Sequence, residues 1–456
     1  MHPTDIDQQK LLSLSSPAPF SFGQHPKFER SFRKHLKRLS FGKEISLSEL
    51  ADPRHPEVFI IPRNRFLYVV DEWGNAIGFE QTAFPFSSTD FYVDIDEDEK
   101  GLFYEFGHSP PLLRLGGISQ LGYLVPPRPK EWNKEASISY LRPTFHHTRW
   151  IHSLLVAILT EVILARNGFS QKERMPLVLT AGCHDIATPA GGDSIKRVDP
   201  KNLDEEENFG WVLEHYGLIK RWSKRFGFDL GTAESWVRGE GVFGQLLDVI
   251  DKISYTALDC YHVGFERPCQ IRDFCLKHPL AMDIWQDIRF TPDRTEFFFA
   301  QPECLFRFLL LRAYEFQEFL FNPYSRALDL FLKRLTQPLY QTGIITKKQL
   351  LTQNDNWLEQ VLSQYYPEEI KWIIEPEELS WEKFKTEEDQ GEFCAKLGAR
   401  VDHTEYLAGP STGLDWLVSN QEKIVPLRRA ISERKVKLLE EVVASIVGYY
   451  VYYKRP

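Results

Sequence analysis

The chain lacks any Cys-x-x-Cys pair, and its six cysteines (Cys183, Cys260, Cys269, Cys275, Cys304 and Cys394) show no disulfide spacing. That argues against a disulfide framework and for a reducing compartment, with the cytoplasm as the expected location. The start, Met1-His2-Pro3-Thr4-Asp5, lacks the basic-then-apolar layout of a signal peptide. The late apolar run from Val442 to Tyr453 falls short of the roughly 20 residues that a bilayer-spanning helix needs, so no membrane partner is expected. No internal repeat, low-complexity tract or sustained heptad appears, which argues against a solenoid or a coiled coil. The acidic run Asp94-Ile95-Asp96-Glu97-Asp98-Glu99 lacks the glycine and the closing glutamate of a calcium loop. An excess of positive charge is missing too. The net charge of −9 excludes a general nucleic-acid binder, though not a local basic patch.

What is present is a chain of 456 residues, 43% hydrophobic and 26% charged, long enough for two or three domains. Residues 1–25 are rich in Ser and Pro. Over 27–44, Phe28, Phe32, Leu36 and Leu39 fall at helical spacing with a basic opposite face, a segment able to meet phosphates or an oligonucleotide. Glu57 to Pro62, Arg65 to Val70 and Ala76 to Phe79 are β-branched and aromatic, and Glu72-Trp73-Gly74-Asn75 is a turn signal. From Phe106 the pattern turns helical. Segments 303–320 and 324–335 are amphipathic. Ile344 to Gln364 and Val436 to Tyr453 read as helices, and 375–420 is mixed and loop-rich. The expected architecture is mainly α. An N-terminal region (1–105) carries the basic helix and a small antiparallel sheet, a helical core spans 106–340, and a mixed region spans 341–456.

The core is organised around His147 to Asp185. Thr148-Arg149-Trp150-Ile151-His152-Ser153 opens an apolar helix pattern of Leu154, Leu155, Ile158, Leu159, Val162 and Ile163, which ends at Asn167-Gly168. A second apolar segment, Leu177 to Ala181, carries His184-Asp185 at its end. Asp251 follows in Asp248-Val249-Ile250-Asp251-Lys252. Neutral imidazoles bind divalent transition metals, and carboxylates add charged oxygen ligands. Two His and two Asp neutralise a dication and leave positions open for water and substrate, so His152, His184, Asp185 and Asp251 are the candidate ligands. A lone His on an apolar helix is usually a core or surface residue, so the weight rests on all four in order.

That order resembles the HD superfamily of metal-dependent phosphohydrolases. Leu113-Arg114-Leu115-Gly116-Gly117-Ile118-Ser119-Gln120-Leu121-Gly122, then Thr148-Arg149-Trp150-Ile151-His152-Ser153-Leu154, is similar to a run in the deoxynucleoside triphosphate triphosphohydrolases of the sterile-alpha-motif/HD-domain type. The helix from Asp251-Lys252-Ile253-Ser254-Tyr255-Thr256-Ala257-Leu258-Asp259 to Val263-Gly264 resembles that family more closely. Arg312-Ala313-Tyr314 and Asn354-Asp355-Asn356-Trp357-Leu358 continue the likeness, which covers about residues 105–365.

The resemblance implies a divalent metal (Mg, Mn, Fe or Zn), a nucleotide substrate and a homo-oligomer. It places Gln120, Leu121, Tyr255, Asp259 and Tyr314 around the sugar and base, and Arg149, Lys252 and Arg307 on the phosphates. Arg307 is one residue out of the family's register. Asp251, Tyr255 and Asp259 are spaced i, i+4, i+8 and share one helix face. The implied reaction is dNTP hydrolysis to deoxynucleoside and triphosphate. The alternatives are an HD phosphohydrolase acting on a nucleoside monophosphate, a cyclic nucleotide or single-stranded nucleic acid, or a nucleotide-sensing module without turnover. The chain departs from the family at Thr188 and Asp193, where further histidines are usual, and in lacking the histidine that precedes a glutamate. In that last region stands Asp204-Glu205-Glu206-Glu207. Glu206, then Glu205, then Asp193 are therefore the candidates for the acid that protonates the leaving oxygen.

Overall fold

The computed structural model describes residues 51–52, 55–61, 66–70, 76–80, 102, 105, 107–120, 148–260, 284–321, 323–370, 379–420 and 423–454. The basic segment 27–44 and Leu121 lie outside the described residues. Among the described residues the architecture is mainly α, with three small sheets. The first sheet is an antiparallel meander of β1 (Ala51–Asp52), β2 (His55–Ile61), β3 (Phe66–Val70) and β4 (Ala76–Glu80), where the β-branched runs placed it.

The helical body starts with α1 (Pro110–Leu115) and α2 (Arg149–Arg166). Thr148 caps α2 by accepting the Ile151 N–H, which fixes where the helix begins. Helix α2 is buried on nearly every side and forms the centre of the main core. Its neighbour α3 (Gln171–Cys183) opens with a capping box between Ser170 and Glu173 and closes at His184. Then come α4 (Asp193–Lys196), α5 (Glu205–His215), α6 (Ile219–Phe226), α7 (Leu230–Val237) and the long α8 (Gly241–Asp259). Helix α8 packs on α2 and adds Leu246, Ile250, Ile253 and Ala257 to the main core, while Asp251 and Tyr255 stay partly exposed.

Strands β5 (Ile288–Phe290) and β6 (Phe297–Phe299) precede α9 (Pro302–Glu315), which continues as a wider turn over Phe316–Leu320. Helices α10 (Pro323–Gln341), α11 (Lys347–Thr352) and α12 (Asp355–Tyr365) enclose a second core of Ile195, Leu203, Leu332, Leu335 and Leu358. The last part comprises β7 (Leu379–Phe384), α13 (Glu387–Leu397), β8 (Val401–Leu407), β9 (Leu417–Asn420), β10 (Lys423–Pro426), α14 (Leu427–Ala430), α15 (Glu433–Ile446) and β11 (Gly448–Lys454). Strand orders are β10-β9-β6-β5 and β7-β11-β8.

The helix expected over Val436 to Tyr453 is corrected here: it stops at Ile446, and Gly448 onward pairs between β7 and β8. Tyr450 and Tyr452 face Ala327 and Leu330 of α10, a period of two that suits aromatic side chains on a pleated surface. A side chain at Gly448 would stand 2.9 Å from the Phe384 carbonyl oxygen, so only glycine lets the strand enter. Among the described residues no helix is long and apolar enough to cross a membrane.

Candidate metal centre

Three elements bring the four candidate ligands together. His152 lies in the first turn of α2, His184 and Asp185 follow the last residue of α3, and Asp251 is midway along α8. The Nε2 atoms of His152 and His184 stand 3.3 Å apart. Asp251 Oδ1 is 2.9 Å from His152 Nε2 and 3.3 Å from His184 Nε2. Asp185 approaches the same two nitrogens at 3.6 and 3.7 Å. His152, His184 and Asp251 thus form a group that could hold a metal ion, with Asp185 beside it.

The surroundings orient these side chains for coordination. His184 Nδ1 is 2.7 Å from the Ala181 carbonyl oxygen, and an N–H there turns Nε2 toward His152 and Asp251. Ser254 Oγ is 3.2 Å from His152 Nδ1 and orients the other ring. Arg149 Nη1 donates to Asp185 at 2.9 Å, and Nη2 donates to Asp193 at 2.9 Å. Its Nε is buried and has no acceptor among the described residues.

The charges are strongly coupled. Burial pushes the Asp251 carboxyl up, but hydrogen bonds from His152 and His184 outweigh it and hold the group far below the usual carboxylate range. Burial also raises Asp185, yet Arg149 and the two imidazoles bring it below its ordinary value. Burial lowers His184, but Asp185 and Asp251 dominate and raise it to about 9. Burial works against the Arg149 charge as well, and Asp185 and Asp193 more than compensate.

Residues distant in sequence fix the segment after His184-Asp185. Arg114 is buried and donates to the carbonyls of Ile186 and Thr188 at 2.8 Å each, and to that of Gln353 at 2.9 Å. Asp355, at the start of α12, accepts the backbone N–H groups of Ser119 and Gly191. Gly191 and Gly192 both have positive φ, a pair of left-handed turns that returns Asp193 to Arg149. Arg114 and Asp355 stood inside the recognised motifs, but nothing in their spacing revealed these partners.

The other expected site residues divide. Gln120 follows the turn that pairs Ser119 with Thr148, and its amide oxygen is buried with no donor among the described residues. Tyr255 Oη accepts from Arg312 Nε at 2.6 Å, and burial raises the phenol. Asp259 is buried against Glu315 of α9, a partner the sequence reading had not named. Lys252 is paired with Asp248 one turn back. Tyr314 is half-buried against the main core. Arg307 is turned to Glu303, whose carboxylate also meets Lys435.

Of the acid candidates, Asp193 is held by Arg149 with its carboxylate otherwise exposed. Glu205, the first residue of α5, accepts from Lys196 at 2.8 Å; burial raises it above its ordinary value, and Asp193 adds to the rise. Burial followed by Asp204 raises Glu206, but its side chain lies on the exposed side of α5, and Glu207 is exposed near Arg238. The structure therefore associates Glu205 with the Arg149–Asp193 pair, whereas the sequence reading preferred Glu206.

No family model matches the sequence, and no curated protein matches it. The fold is shared with solved structures. A phosphohydrolase from Bacteroides thetaiotaomicron matches with a TM-score of 0.58 at 17% identity, over 80% of this chain and 97% of that one. A hypothetical protein from Aquifex aeolicus matches with a TM-score of 0.56 at 17% identity, over 85% of this chain and 96% of that one. The chain thus shares its fold with these two proteins.

Proposed function

We propose that the chain is a metal-dependent phosphohydrolase acting on nucleotides, and within that class a dNTP triphosphohydrolase that releases deoxynucleoside and triphosphate. The observation that carries this reading is the convergence of His152, His184 and Asp251, with Asp185 beside them, next to a buried Arg149 whose Nε has no acceptor among the described residues. The donor set fits the metal: two imidazoles with oriented Nε2 atoms and two carboxylates suit a divalent transition ion or Mg. A divalent ion held by these residues supplies Lewis-acid chemistry, neutralising phosphoryl charge and activating water.

The chain's own residues do the rest. Arg149 keeps Asp185 in place through Nη1 and offers its Nε N–H to a phosphate oxygen. Glu205, whose carboxyl burial raises above its ordinary value beside Lys196 and Asp193, is the residue assigned to give a proton to the leaving oxygen, in place of the histidine usual in the resembling family. Gln120, Tyr255 and Asp259 line the sugar side, where a buried amide oxygen and a carboxyl suit hydroxyl groups. The phosphohydrolase named among the fold neighbours supports the general class, and the motifs around Asp251 to Asp259 support the narrower one.

The test is a product assay. Purified protein is incubated with dNTPs, NTPs, nucleoside monophosphates, cyclic nucleotides and single-stranded DNA, each with Mg, Mn, Fe, Co or Zn, and products are separated by chromatography. Tripolyphosphate from dNTPs is the expected result. Inorganic phosphate or nucleoside monophosphate would move the assignment to another HD phosphohydrolase. Tight nucleotide binding without turnover would leave a sensing module.

A further inference from the structure

Helix α4 is a single turn, too short to hold its own shape in water. It is held from two sides. At the front, Asp193 accepts from Arg149 Nη2 at 2.9 Å, and Arg149 Nη1 donates to Asp185 at 2.9 Å. At the back, the next residue, Ser194, donates its hydroxyl to Asp329 Oδ1 of α10 at 2.5 Å. Asp329 Oδ2 accepts from Arg326 Nη1 at 3.2 Å, one turn earlier on the same helix. The same guanidinium meets Glu405 of β8 through Nη2 at 2.6 Å and Nε at 3.2 Å. Glu405 Oε1 also accepts the Tyr452 hydroxyl of β11 at 2.8 Å. Arg197, directly after α4, pairs with Glu405 at 3.6 Å. A line of hydrogen bonds and ion pairs thus runs from the last sheet to Ser194, and through the backbone to Asp193 and Arg149.

The rear half of this line is out of water. Ser194, Arg326, Asp329 and Tyr452 are buried, and the Glu405 side chain is 9% exposed. Burial works against the charge of both Arg326 and Glu405, yet their mutual contact outweighs it and keeps both ionised. Buried ion pairs of this kind add little net stability, since apolar residues of equal volume do as well or better. What they add is geometry, because a forked guanidinium fixes its carboxylates in both distance and direction. We propose that this line positions Arg149: the C-terminal sheet, through Glu405, Arg326 and Asp329, sets where α4 stands and so how Arg149 presents its Nε N–H beside the metal-ligand group. Only the consequence for phosphate binding rests on the phosphohydrolase reading above; the hold on α4 and Arg149 does not.

A second contact between α10 and β8 shows what is particular to this one. Arg334 Nη1 donates to Asp402 at 2.6 Å, three residues before Glu405 on the same strand. That pair docks the sheet on α10 but makes no contact with α4, and Arg334 is exposed. Docking of the sheet and positioning of α4 are therefore carried by different side chains and can be separated by substitution. Glu405, Arg326 and Asp329 are positioning residues that act through Ser194 and Asp193, and Asp402 is a tie between sheet and helix alone.

Three measurements on the full chain test this. The first is hydrogen exchange read by mass spectrometry. The Ile195, Lys196 and Val198 amides bond to the Gly192 and Ile195 carbonyls, so their exchange reports the opening of α4. Glu405→Gln should speed exchange over residues 193–198 at least about tenfold, and Asp402→Asn should stay within about twofold of the parent. No change in Glu405→Gln, or an equal rise in Asp402→Asn, overturns the line. Where Glu405→Gln does not fold, Tyr452→Phe, which removes one hydroxyl from Glu405, should give a rise of about threefold, and no rise overturns the line as well. The second is the Arg149 Nε–H resonance in nitrogen-15 NMR, assigned with Arg149→Lys. Glu405→Gln should shift it, and should shift it no further in an Asp193→Asn background, where the line is already cut. An unmoved resonance, or the same shift in both backgrounds, overturns the link to Arg149. The third is calorimetric binding of inorganic tripolyphosphate to the manganese-loaded protein, where Glu405→Gln should weaken affinity at least about fivefold at unchanged metal content. Equal affinities overturn the consequence for binding. A parent protein that binds no tripolyphosphate refutes the triphosphate reading of the site, and the hold on α4 and Arg149 is then decided by the first two measurements.

Discussion

Asp355 takes the Gly191 N–H at 2.8 Å across 164 residues of chain. The same carboxylate takes the Ser119 N–H at 3.0 Å, so the start of α12 joins the turn before α2 to the turn after His184-Asp185. A carboxylate accepting two buried backbone donors does what water does elsewhere, and its removal leaves both donors unsatisfied.

Asp355→Ala should therefore destabilise the protein by roughly 3 kcal/mol, since a hydrogen bond to a charged group contributes about 1.5–3 kcal/mol. Urea denaturation measures it. A loss below about 1 kcal/mol would mean that the two N–H groups find other acceptors.

Gly191→Ala tests the turn itself. Gly191 has φ +87°, and a Cβ there would stand 2.4 Å from Ile195 Cγ1 and 2.8 Å from Leu358 Cδ2. Backbone strain alone costs about 1–3 kcal/mol, and the clash into the second core adds to it. Thermal unfolding of the variant should fall well below that of the parent. A melting point within about 2 °C of the parent would show that the turn relaxes freely.

Asp251→Ala should remove metal and activity together while keeping the helical circular dichroism. The Asp251 side chain is 31% exposed, so its loss leaves no closed cavity in the core. Elemental analysis decides it: full metal occupancy in the variant rules out Asp251 as a ligand.

Asp259→Asn bears on stability against pH. Burial raises the folded-state carboxyl to about 7, whereas in the unfolded chain it titrates near 3.9. Between those values the folded state holds more protons than the unfolded, so this group's contribution to stability falls as pH rises from about 4 to 7. The asparagine variant does not titrate. It should gain on the parent as pH rises and stand highest relative to it above pH 7. Melting curves at pH 5 and 8 test this, and a parent-minus-variant difference that is the same at both pH values would refute it.

The sequence alone carried the helical class, the first sheet and the grouping of His152, His184 and Asp251, because each rests on local signals. His152, His184-Asp185 and Asp251 sit at helix starts, ends and faces that apolar spacing reveals. The strand from Gly448 to Lys454 was hidden because Ile446 to Tyr453 is apolar throughout, and a continuous apolar run shows no period. The contacts of Arg114, Asp355 and Glu315 join residues far apart in the chain or on facing helices, and no local pattern encodes such pairs. Arg307 shows the limit of register: its place on α9 turns it to Glu303, while Arg312 on the next turns reaches Tyr255.

The choice between Glu205 and Glu206 is the sharpest such case, since the two are adjacent and only the docking of α5 separates them. Asp204 caps the helix by accepting the N–H groups of Glu206 and Glu207. Glu205 is thereby the first helical residue, directed toward Lys196 and the Arg149–Asp193 pair, and Glu206 is turned to solvent. A positioned general acid contributes roughly 10²–10⁴-fold, so Glu205→Gln should lose at least about a hundredfold in turnover with metal content unchanged. Glu206→Gln should stay within about threefold of the parent. Because the acid must carry its proton, turnover should fall as pH rises through the raised Glu205 value, and Lys196→Met, which removes the cation that stabilises the carboxylate, should move that fall to higher pH. Rates of the two glutamine variants and the pH profile of Lys196→Met decide the matter. If Glu206→Gln is the impaired variant, α5 presents its other face to the substrate. If neither is impaired, the proton comes from elsewhere, and Asp193, 2.9 Å from Arg149 Nη2, is the next residue to replace.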